Sequence, residues 1–336
     1  MRIESRTVVQ SVLSNSFPHL TLGSLPTPLH ELPRLSKELG LDIWVKRDDL
    51  TGFAMGGNKV RETEFIFAEA LEKGSDVILT AGTYQSNHAR VVSAAASLFG
   101  LECHLFLSGE TSSPPTGNLL LDHLAGAKIH DVSTLAERTP AMQALARELR
   151  ESGRKPCVIP IGGADEVGAH GYLTGFAELH VQIAALPSKP TRIVLASSSG
   201  ATYAGTMVGI SQAKSTVELL GIRTDLDPDD SEEKISSIAN QLSKRVRYPH
   251  TFEPEDVHLN PDYVGEGFGV PTTDGVKAIR KLWKQEGILL EPVYTAKAMA
   301  GIIDIAERGF WKNERIIFIH TGGIPTTFSF APLLST

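Results

Sequence analysis

The chain is short of cysteine, of long apolar runs and of surplus positive charge, and each shortage removes a class of function. Only two cysteines, Cys103 and Cys157, occur among 336 residues. Nothing at metal-ligand spacing accompanies them, so neither a disulfide framework nor a zinc site is favoured. Cys103 sits in the apolar run Leu101 to Leu107 and reads as a buried strand residue. No stretch approaches the length of a membrane span, and the N-terminal residues lack the charged-then-apolar pattern of a secretory leader. Thirty-two lysines and arginines against 39 acids give a net charge of −7. That balance offers no basic footprint for nucleic acid or for an anionic membrane. The expectation is a protein of the reducing cytoplasm whose partner is a small molecule.

What is present is an ordinary globular composition, 41% apolar and 21% charged, long enough for about two domains. Short apolar runs alternate with amphipathic stretches: Asp76 to Thr80, then Asn87 to Phe99, Cys103 to Leu107, Gly117 to Ala125, and Lys128 to His130. A second series runs through Cys157 to Ile161, a helix from Gly168 to Ala185, Arg192 to Ala196, a helix from Ala201 to Ala213, Val217 to Ile222, and Ile316 to His320. The rhythm is that of βαβ units, which predicts an α/β fold with two open, twisted, mainly parallel sheets flanked by helices. Leu25 to Lys46 reads as loop, short helix and strand able to join the later half. The expected division is therefore residues 1–50 plus 158–336 as the larger domain and 51–157 as the smaller. Thr224 to Arg247 is charged, with helical spacing at Ile235, Ile238 and Leu242, and reads as a solvated helix rather than a binding site.

Four motifs carry chemistry. Lys59 follows the Gly56-Gly57-Asn58 turn, and a lysine amine becomes a nucleophile toward an aldehyde when burial or a neighbouring cation lowers its pKa. Lys46 and Arg61 are the cations nearest in sequence. Ser197-Ser198-Ser199-Gly200-Ala201-Thr202 lies between an apolar strand and an apolar helix, where backbone amides and hydroxyls converge on an anion. It matches neither a Walker loop nor a dinucleotide fingerprint, and a serine-rich helix cap remains a second reading. Gln85-Ser86-Asn87-His88 opens a helix with side chains that are costly to bury without water or a ligand, though Ser86 or Asn87 could also be plain caps. His320-Thr321-Gly322-Gly323 ends an apolar strand, the edge at which α/β sheets bind ligands, and Tyr294-Thr295 adds a phenol and a hydroxyl.

Taken in order, Gly56 to Lys59, Gln85 to His88, Gly162-Gly163, Tyr263 to Pro271, Pro292 to Thr295 and His320 to Gly323 resemble the fold-type II pyridoxal-phosphate enzymes. Within these, the match is to the group of aminocyclopropane-carboxylate deaminases and D-cysteine desulfhydrases, and it runs from about Leu25 to Phe330. The resemblance implies pyridoxal 5'-phosphate held by the larger domain, with Lys59 as the Schiff-base lysine. It further implies contacts from Asn58, from Asn87 to the phenolic oxygen, from Ser199, Gly200, Ala201 and Thr202 to the phosphate, and from Thr321 to the ring nitrogen. Lys59, Ser86 and Tyr294 form the candidate catalytic set. Gln85, Ser86, Asn87, His88, Phe268, Tyr294 and Thr295 form the candidate substrate set, and a homodimer is the family expectation.

The deaminases of this group carry, by resemblance, a glutamate after the tyrosine and a leucine before the late glycine pair. Here Thr295 and Thr321 stand at those positions, which points to the desulfhydrase branch. The implied reaction is α,β-elimination: Lys59 removes the α-proton, the β-substituent leaves as sulfide, and hydrolysis yields pyruvate and ammonia. Tyr294 would protonate the leaving sulfur. By resemblance, Phe268 replaces the tyrosine usual in a Gly-Tyr-Gly loop, deleting one hydroxyl from the pocket, so the resemblance alone does not fix the substrate as D-cysteine. The alternative is an L-cysteate sulfo-lyase, which expels sulfite and needs cations for the sulfonate, His88 and Arg90 being the available ones. A non-catalytic cofactor-binding protein is a third class. It would retain Lys59 but could lose Ser86, Asn87, His88, Tyr294 and Thr321, all of which are present.

Overall fold

Two sheets carry the chain. The structure, a computed structural model, describes residues 17–109, 111, 113–226 and 231–335. The stretch read for a leader, residues 1–16, lies outside these, as do residues 227–230 of the charged segment. In chain order the elements are β1 (Leu29–Glu31), α1 (Pro33–Leu39), β2 (Asp42–Lys46), α2 (Asn58–Glu72), β3 (Val77–Thr83), α3 (Asn87–Phe99), β4 (Glu102–Ser108), α4 (Gly117–Leu124), β5 (Lys128–Asp131), α5 (Arg138–Glu151) and β6 (Pro156–Val158). They continue with α6 (Glu166–Ala184), β7 (Arg192–Ser197), α7 (Ala201–Gln212), β8 (Glu218–Arg223), α8 (Glu232–Arg245), β9 (Leu259–Asn260), α9 (Thr273–Glu286), α10 (Thr295–Glu307), β10 (Arg315–Ile319), α11 (Ile324–Ser329) and α12 (Ala331–Leu334).

The larger sheet has six strands in the order β1-β2-β10-β7-β8-β9, parallel except for the edge pair β1–β2. The smaller has four parallel strands, β5-β4-β3-β6. Period-two alternation explains why both faces are covered. Along β10, Ile316 and Phe318 enter one core cluster while Ile317 and Ile319 enter the other. In the smaller sheet Ile78 and Leu105 face one cluster, Leu79 and Phe106 the other. Each such side chain, fully withdrawn from water, contributes roughly 1.5–3 kcal/mol.

The structure changes the sequence reading in three places. Cys157 to Ile161 does not open the second series: its strand is β6, which pairs with β3 of the smaller sheet, and Ile161–Gly163 is a 3-10 turn. Helix α5 was not read from the sequence, because only Met142 and Ala146 give it a buried apolar stripe. Helix α8 is not merely solvated. Ile235, Ile238 and Leu242 are buried, and Lys234 reaches a cavity wall.

Helix α2 is held in place by a buried ion cluster. The Arg61 guanidinium grips Asp48 through Nε (2.9 Å) and Nη2 (2.9 Å) and also donates to Glu178 of α6. Lys46 donates to Glu178, Gln182 and the Thr27 carbonyl, and the Tyr172 hydroxyl donates to Asp48. Such a cluster is costly to desolvate and stable only when fully paired. Gly171 lets α6 lie against α2: a Cβ there would stand 2.3 Å from the Arg61 carbonyl oxygen. Arg61 on α2 and Lys46 on β2, the cations nearest Lys59 in sequence, are thus committed to this cluster.

Candidate functional site

A cavity of about 810 Å³ opens where strand ends of the two sheets meet, lined by Lys59, Thr83, Ser197 and Thr321 among others. Lys59 lies in the first turn of α2, and its Nζ donates to Glu62 Oε2 and to the Gly162 carbonyl, each at 2.8 Å. Glu62 is fully buried one helical turn onward and also accepts from the Thr202 hydroxyl at 2.8 Å. Asn58 Nδ2 donates to the same Thr202 oxygen at 2.9 Å. Burial pushes the Glu62 carboxyl up from its ordinary range, against the pull of Lys59 and Thr202. Sequence reasoning missed Glu62, although its i,i+3 spacing from Lys59 was available as a signal.

Two helix N-termini flank the lysine. At the start of α7, Gly200 (φ 100°) supplies no side-chain cap, so the first-turn amides remain open to an anion. Ser197, Ser198, Ser199, Gly200 and Thr202 line the cavity there, and the buried Ser197 Oγ has no hydrogen-bond partner among the described residues. Gly162 closes the cradle opposite: a Cβ would lie 2.6 Å from Ser199 Oγ. Ala201 is buried in the first turn and is not among the lining residues, so it can offer only its backbone.

At the start of α3, Ser86 Oγ accepts from the Ala89 amide at 3.1 Å, which leaves its hydroxyl proton free to donate. Ser86, Asn87 and His88 line the cavity. Asn87 Oδ1 accepts from Asn118 Nδ2 at 2.8 Å, which orients its amide nitrogen toward Gly323. The Thr80 hydroxyl donates to the Ile159 carbonyl and so accepts from His88 Nε2 at 3.0 Å, an arrangement that assigns the ring proton to Nε2. Burial, then the Lys59 charge, push the His88 pKa down to about 3. His88 is therefore a neutral imidazole with an unpartnered Nδ1.

Several expected residues are placed elsewhere. Gln85 does not line the cavity: its amide accepts from Asn118 N and donates to the Thr116 carbonyl, fixing the start of α4. Thr295 is fully buried against Glu291, whose carboxylate takes the amides of Val293, Tyr294 and Thr295. Burial pushes the Glu291 carboxyl up to about 7, and it functions as the cap that directs Tyr294 toward the cavity. Arg90 donates to the Gly56 carbonyl at 2.9 Å behind the glycine turn and is not a lining residue. Neither His88 nor Arg90 is then a cation facing the cavity.

Tyr294 and Phe268 do face it, ring against ring at 6.0 Å and 63°. The Phe268 loop is fastened by Lys297, a buried ammonium that donates to the Val264 and Gly267 carbonyls at 2.8 and 3.0 Å. Thr321 lines the cavity, and its carbonyl accepts from the Asn58 amide at 2.9 Å. The set fits pyridoxal phosphate: an amine for the aldehyde, an open helix N-terminus and hydroxyls for the phosphate, and glycines where a Cβ would intrude.

Residues 20–322 match the family described as pyridoxal-phosphate dependent enzyme. The chain is 39% identical over 322 residues to the D-cysteine desulfhydrase of Salmonella choleraesuis (strain SC-B67), covering 94% of this chain and 97% of that one. The D-cysteine desulfhydrase of Salmonella paratyphi C (strain RKS4594) matches at the same identity and coverage, 39%, 94% and 97%. A crystal structure of an ACC deaminase homologue superposes with a TM-score of 0.88 at 36% identity, covering 95% of this chain and 96% of that one. With the lysine, the cradle and these likenesses in agreement, the chain belongs to the pyridoxal-phosphate dependent enzymes, in the aminocyclopropane-carboxylate deaminase and D-cysteine desulfhydrase family, and is a pyridoxal-phosphate-dependent lyase.

Proposed function

We propose that the enzyme catalyses α,β-elimination on a small β-substituted amino acid, D-cysteine first, giving pyruvate, sulfide and ammonia. The observation that carries this reading is the position of Lys59 Nζ in a cavity shared by two helix N-termini, at Ser86–His88 and at Ser198–Thr202. One terminus suits the cofactor phosphate and the other the substrate carboxylate, which leaves the amine between the two anions. When bound, pyridoxal phosphate withdraws electrons from the substrate α-carbon and so acidifies its C–H bond. The protein's residues do the rest.

Ser86 and Asn87 orient the carboxylate; the neutral His88 beside them gives its Nε2–H to Thr80 and has no donor left for it. Lys59 takes the α-proton, and Glu62, hydrogen-bonded to it, holds or returns a proton as the lysine changes charge. Ser199, Gly200 and Thr202, with the Ala201 amide, would hold the phosphate, with Asn58 supporting Thr202, and Asn87 would serve the phenolic oxygen. Thr321, which lines the cavity, would offer the ring nitrogen a hydroxyl, which does not enforce a positive charge there as a carboxylate would. Tyr294 delivers a proton to the leaving sulfur. Phe268 walls the pocket without offering a hydrogen bond.

The printed names of the Salmonella relatives support D-cysteine. L-Cysteate is the alternative substrate. Residues 51–157 are taken as the smaller unit and residues 1–50 with 158–336 as the larger, a division supported by the membership of β2 in the larger sheet, while β6 (Pro156–Val158) of the smaller sheet runs one residue past the boundary. A cytoplasmic homodimer completes the proposal; among the described residues no helix is long and apolar enough to cross a membrane. The test is a steady-state assay of pyruvate release with D-cysteine, L-cysteine, L-cysteate, β-chloro-D-alanine and aminocyclopropane carboxylate. Turnover of D-cysteine is expected, and no turnover of any of them would overturn the reading.

A further inference from the structure

One buried cation beside the cavity lies outside its lining and outside the elimination described above. Lys59, Lys234 and Arg138, the first residue of α5, line the cavity directly, and Lys297 does not. Lys297 sits in the first turn of α10 and is fully buried. Its ammonium donates to three main-chain carbonyls, those of Val264 at 2.8 Å, Gly267 at 3.0 Å and, through a longer bond, Thr224 at 3.4 Å. An ammonium has three donors and no acceptor, so this set completes it. Burial draws the Lys297 pKa down, and the charges of Glu291 and Asp225 oppose the shift.

What the ammonium holds is a wall of the site. Glu266, Gly267 and Phe268 line the cavity. Among the described residues, 265–271 make no hydrogen bond between backbone groups, and the bond from Lys297 to Gly267 is their one polar tether. Gly265, Gly267 and Gly269 all have positive φ, and a Cβ at Gly267 or Gly269 would meet nothing within 4 Å. A glycine-rich segment with so few contacts has little stability of its own. Its base is fixed to α10 by the Tyr263 hydroxyl, which donates to Asp304 at 2.7 Å, and its tip by Lys297. Tyr294, the N-cap of α10, stands three residues before Lys297 and meets the Phe268 ring edge-on at 6.0 Å. A single ammonium therefore sets the spacing between Phe268 and the phenol to which the elimination reading gives the leaving group. Through Thr224, whose amide donates to the Ser197 carbonyl at 3.1 Å, it also refers this wall to the strand end that opens the phosphate cradle.

We propose that Lys297 is a positioning residue that sets how large a β-substituent the cavity admits, a tethered cation that pins the Phe268 wall against Tyr294 through the Val264 and Gly267 carbonyls without touching substrate. The proposal rests on the elimination reading for the role of Tyr294 and adds a determinant of specificity to it. A neutral, apolar side chain at this position leaves three buried carbonyls unpaired, which is costly enough for the segment 265–271 to shift toward water. A wall that yields admits bulk. The loss falls on the fit of the β-substituent rather than on the cofactor, because Lys297 bonds neither to Lys59 nor to the Ser199–Thr202 turn.

The experiment compares holoenzymes of wild type, Lys297→Met, Lys297→Gln, Phe268→Ala and the double variant of Lys297→Met with Phe268→Ala, checked for fold by circular dichroism and for cofactor by visible absorbance. Pyruvate release is measured with cysteine, β-chloroalanine and S-benzylcysteine of both hands. Binding of alanine and phenylalanine, which carry no β-leaving group, is measured in parallel by calorimetry. Wild type is expected to discriminate against the bulky members. Lys297→Met should cut the ratio of kcat/KM for D-cysteine to that for S-benzyl-D-cysteine by roughly tenfold or more, mostly through KM and with the visible band kept. Lys297→Gln, which still offers two N–H donors to the same carbonyls, should recover part of the ratio. The double variant should differ from Phe268→Ala by less than about threefold in that ratio, since both changes act on one wall. A wild type that does not discriminate by size, a ratio unchanged in Lys297→Met, or effects of Lys297→Met and Phe268→Ala that simply multiply would overturn the assignment. Should Lys297→Met not fold, the Lys297→Gln enzyme carries the same comparison. Should no amino acid be turned over, the elimination reading fails, and the calorimetric preference for alanine over phenylalanine, weakened in Lys297→Met, still decides the role of Lys297.

Discussion

Lys59 Nζ donates to the carboxylate of Glu62 at 2.8 Å, and Glu62 is completely buried one turn further along the same helix. The Lys59 amine and a buried acid therefore form one unit. Burial raises the pKa of the Glu62 carboxyl and the Lys59 charge holds it down, so neutralising Lys59 would favour a proton on Glu62.

The Lys59→Ala enzyme should lose the visible absorbance of bound pyridoxal phosphate and all pyruvate release while keeping its far-ultraviolet circular dichroism. A retained visible band would show that another amine carries the cofactor.

Glu62→Gln keeps the acceptor for Thr202 and Lys59 but removes the ionisable proton. We expect kcat to fall by roughly 10²-fold with little change in KM. A pH profile of kcat identical in shape to that of wild type would show that Glu62 positions Lys59 and does no proton work.

Gly162 is at φ 71°, and a Cβ there would stand 2.6 Å from Ser199 Oγ. Gly162→Ala carries backbone strain on the order of 1–3 kcal/mol and pushes on the phosphate cradle. Equilibrium dialysis should show cofactor affinity weakened by roughly tenfold or more, and an unchanged affinity would remove Gly162 from the cradle.

Phe268 stacks edge-on to Tyr294 at 6.0 Å. Phe268→Tyr restores a phenol to the pocket, worth on the order of 1 kcal/mol if it finds a partner. For D-cysteine that is a gain of roughly fivefold in kcat/KM, and a loss of activity would show that the pocket needs an apolar wall here.

Glu64 lies outside the site and accepts from the Leu22 and Gly23 amides at 2.8 and 2.9 Å. Burial raises its pKa from 4.5 to about 7. The folded protein thus binds a proton that the unfolded chain has released, and the group's contribution to stability falls as pH rises from about 4.5 to about 7. Glu64→Gln abolishes that dependence. In urea unfolding its stability relative to wild type should improve by roughly 1.4 kcal/mol per pH unit across this window and level off above it. A constant difference would mean that Glu64 is ionised in the fold throughout.

The sequence by itself determined the elements whose signal is local. The apolar runs at Val77 to Thr83 and Ile316 to Ile319 are strands because both faces are covered, and Ser86 and Gly200 start helices because of the caps they can and cannot provide. Gly56-Gly57-Asn58-Lys59, the serine turn and the late Thr-Gly-Gly stand out in the sequence as local glycine and hydroxyl clusters, and residues of all three line one cavity. Tertiary structure alone decided which charges face the cavity. Arg61, Lys46 and Arg90 lie near the motifs in sequence, yet they are spent on Asp48, on Glu178 and on the Gly56 carbonyl. Arg138 and Glu291 carry no motif and reach the site through a weakly patterned helix and a cap. The physical reason is that a buried charge goes wherever the packed fold offers it a partner, and that partner is set by contacts between residues distant in the chain, which neither periodicity nor spacing records.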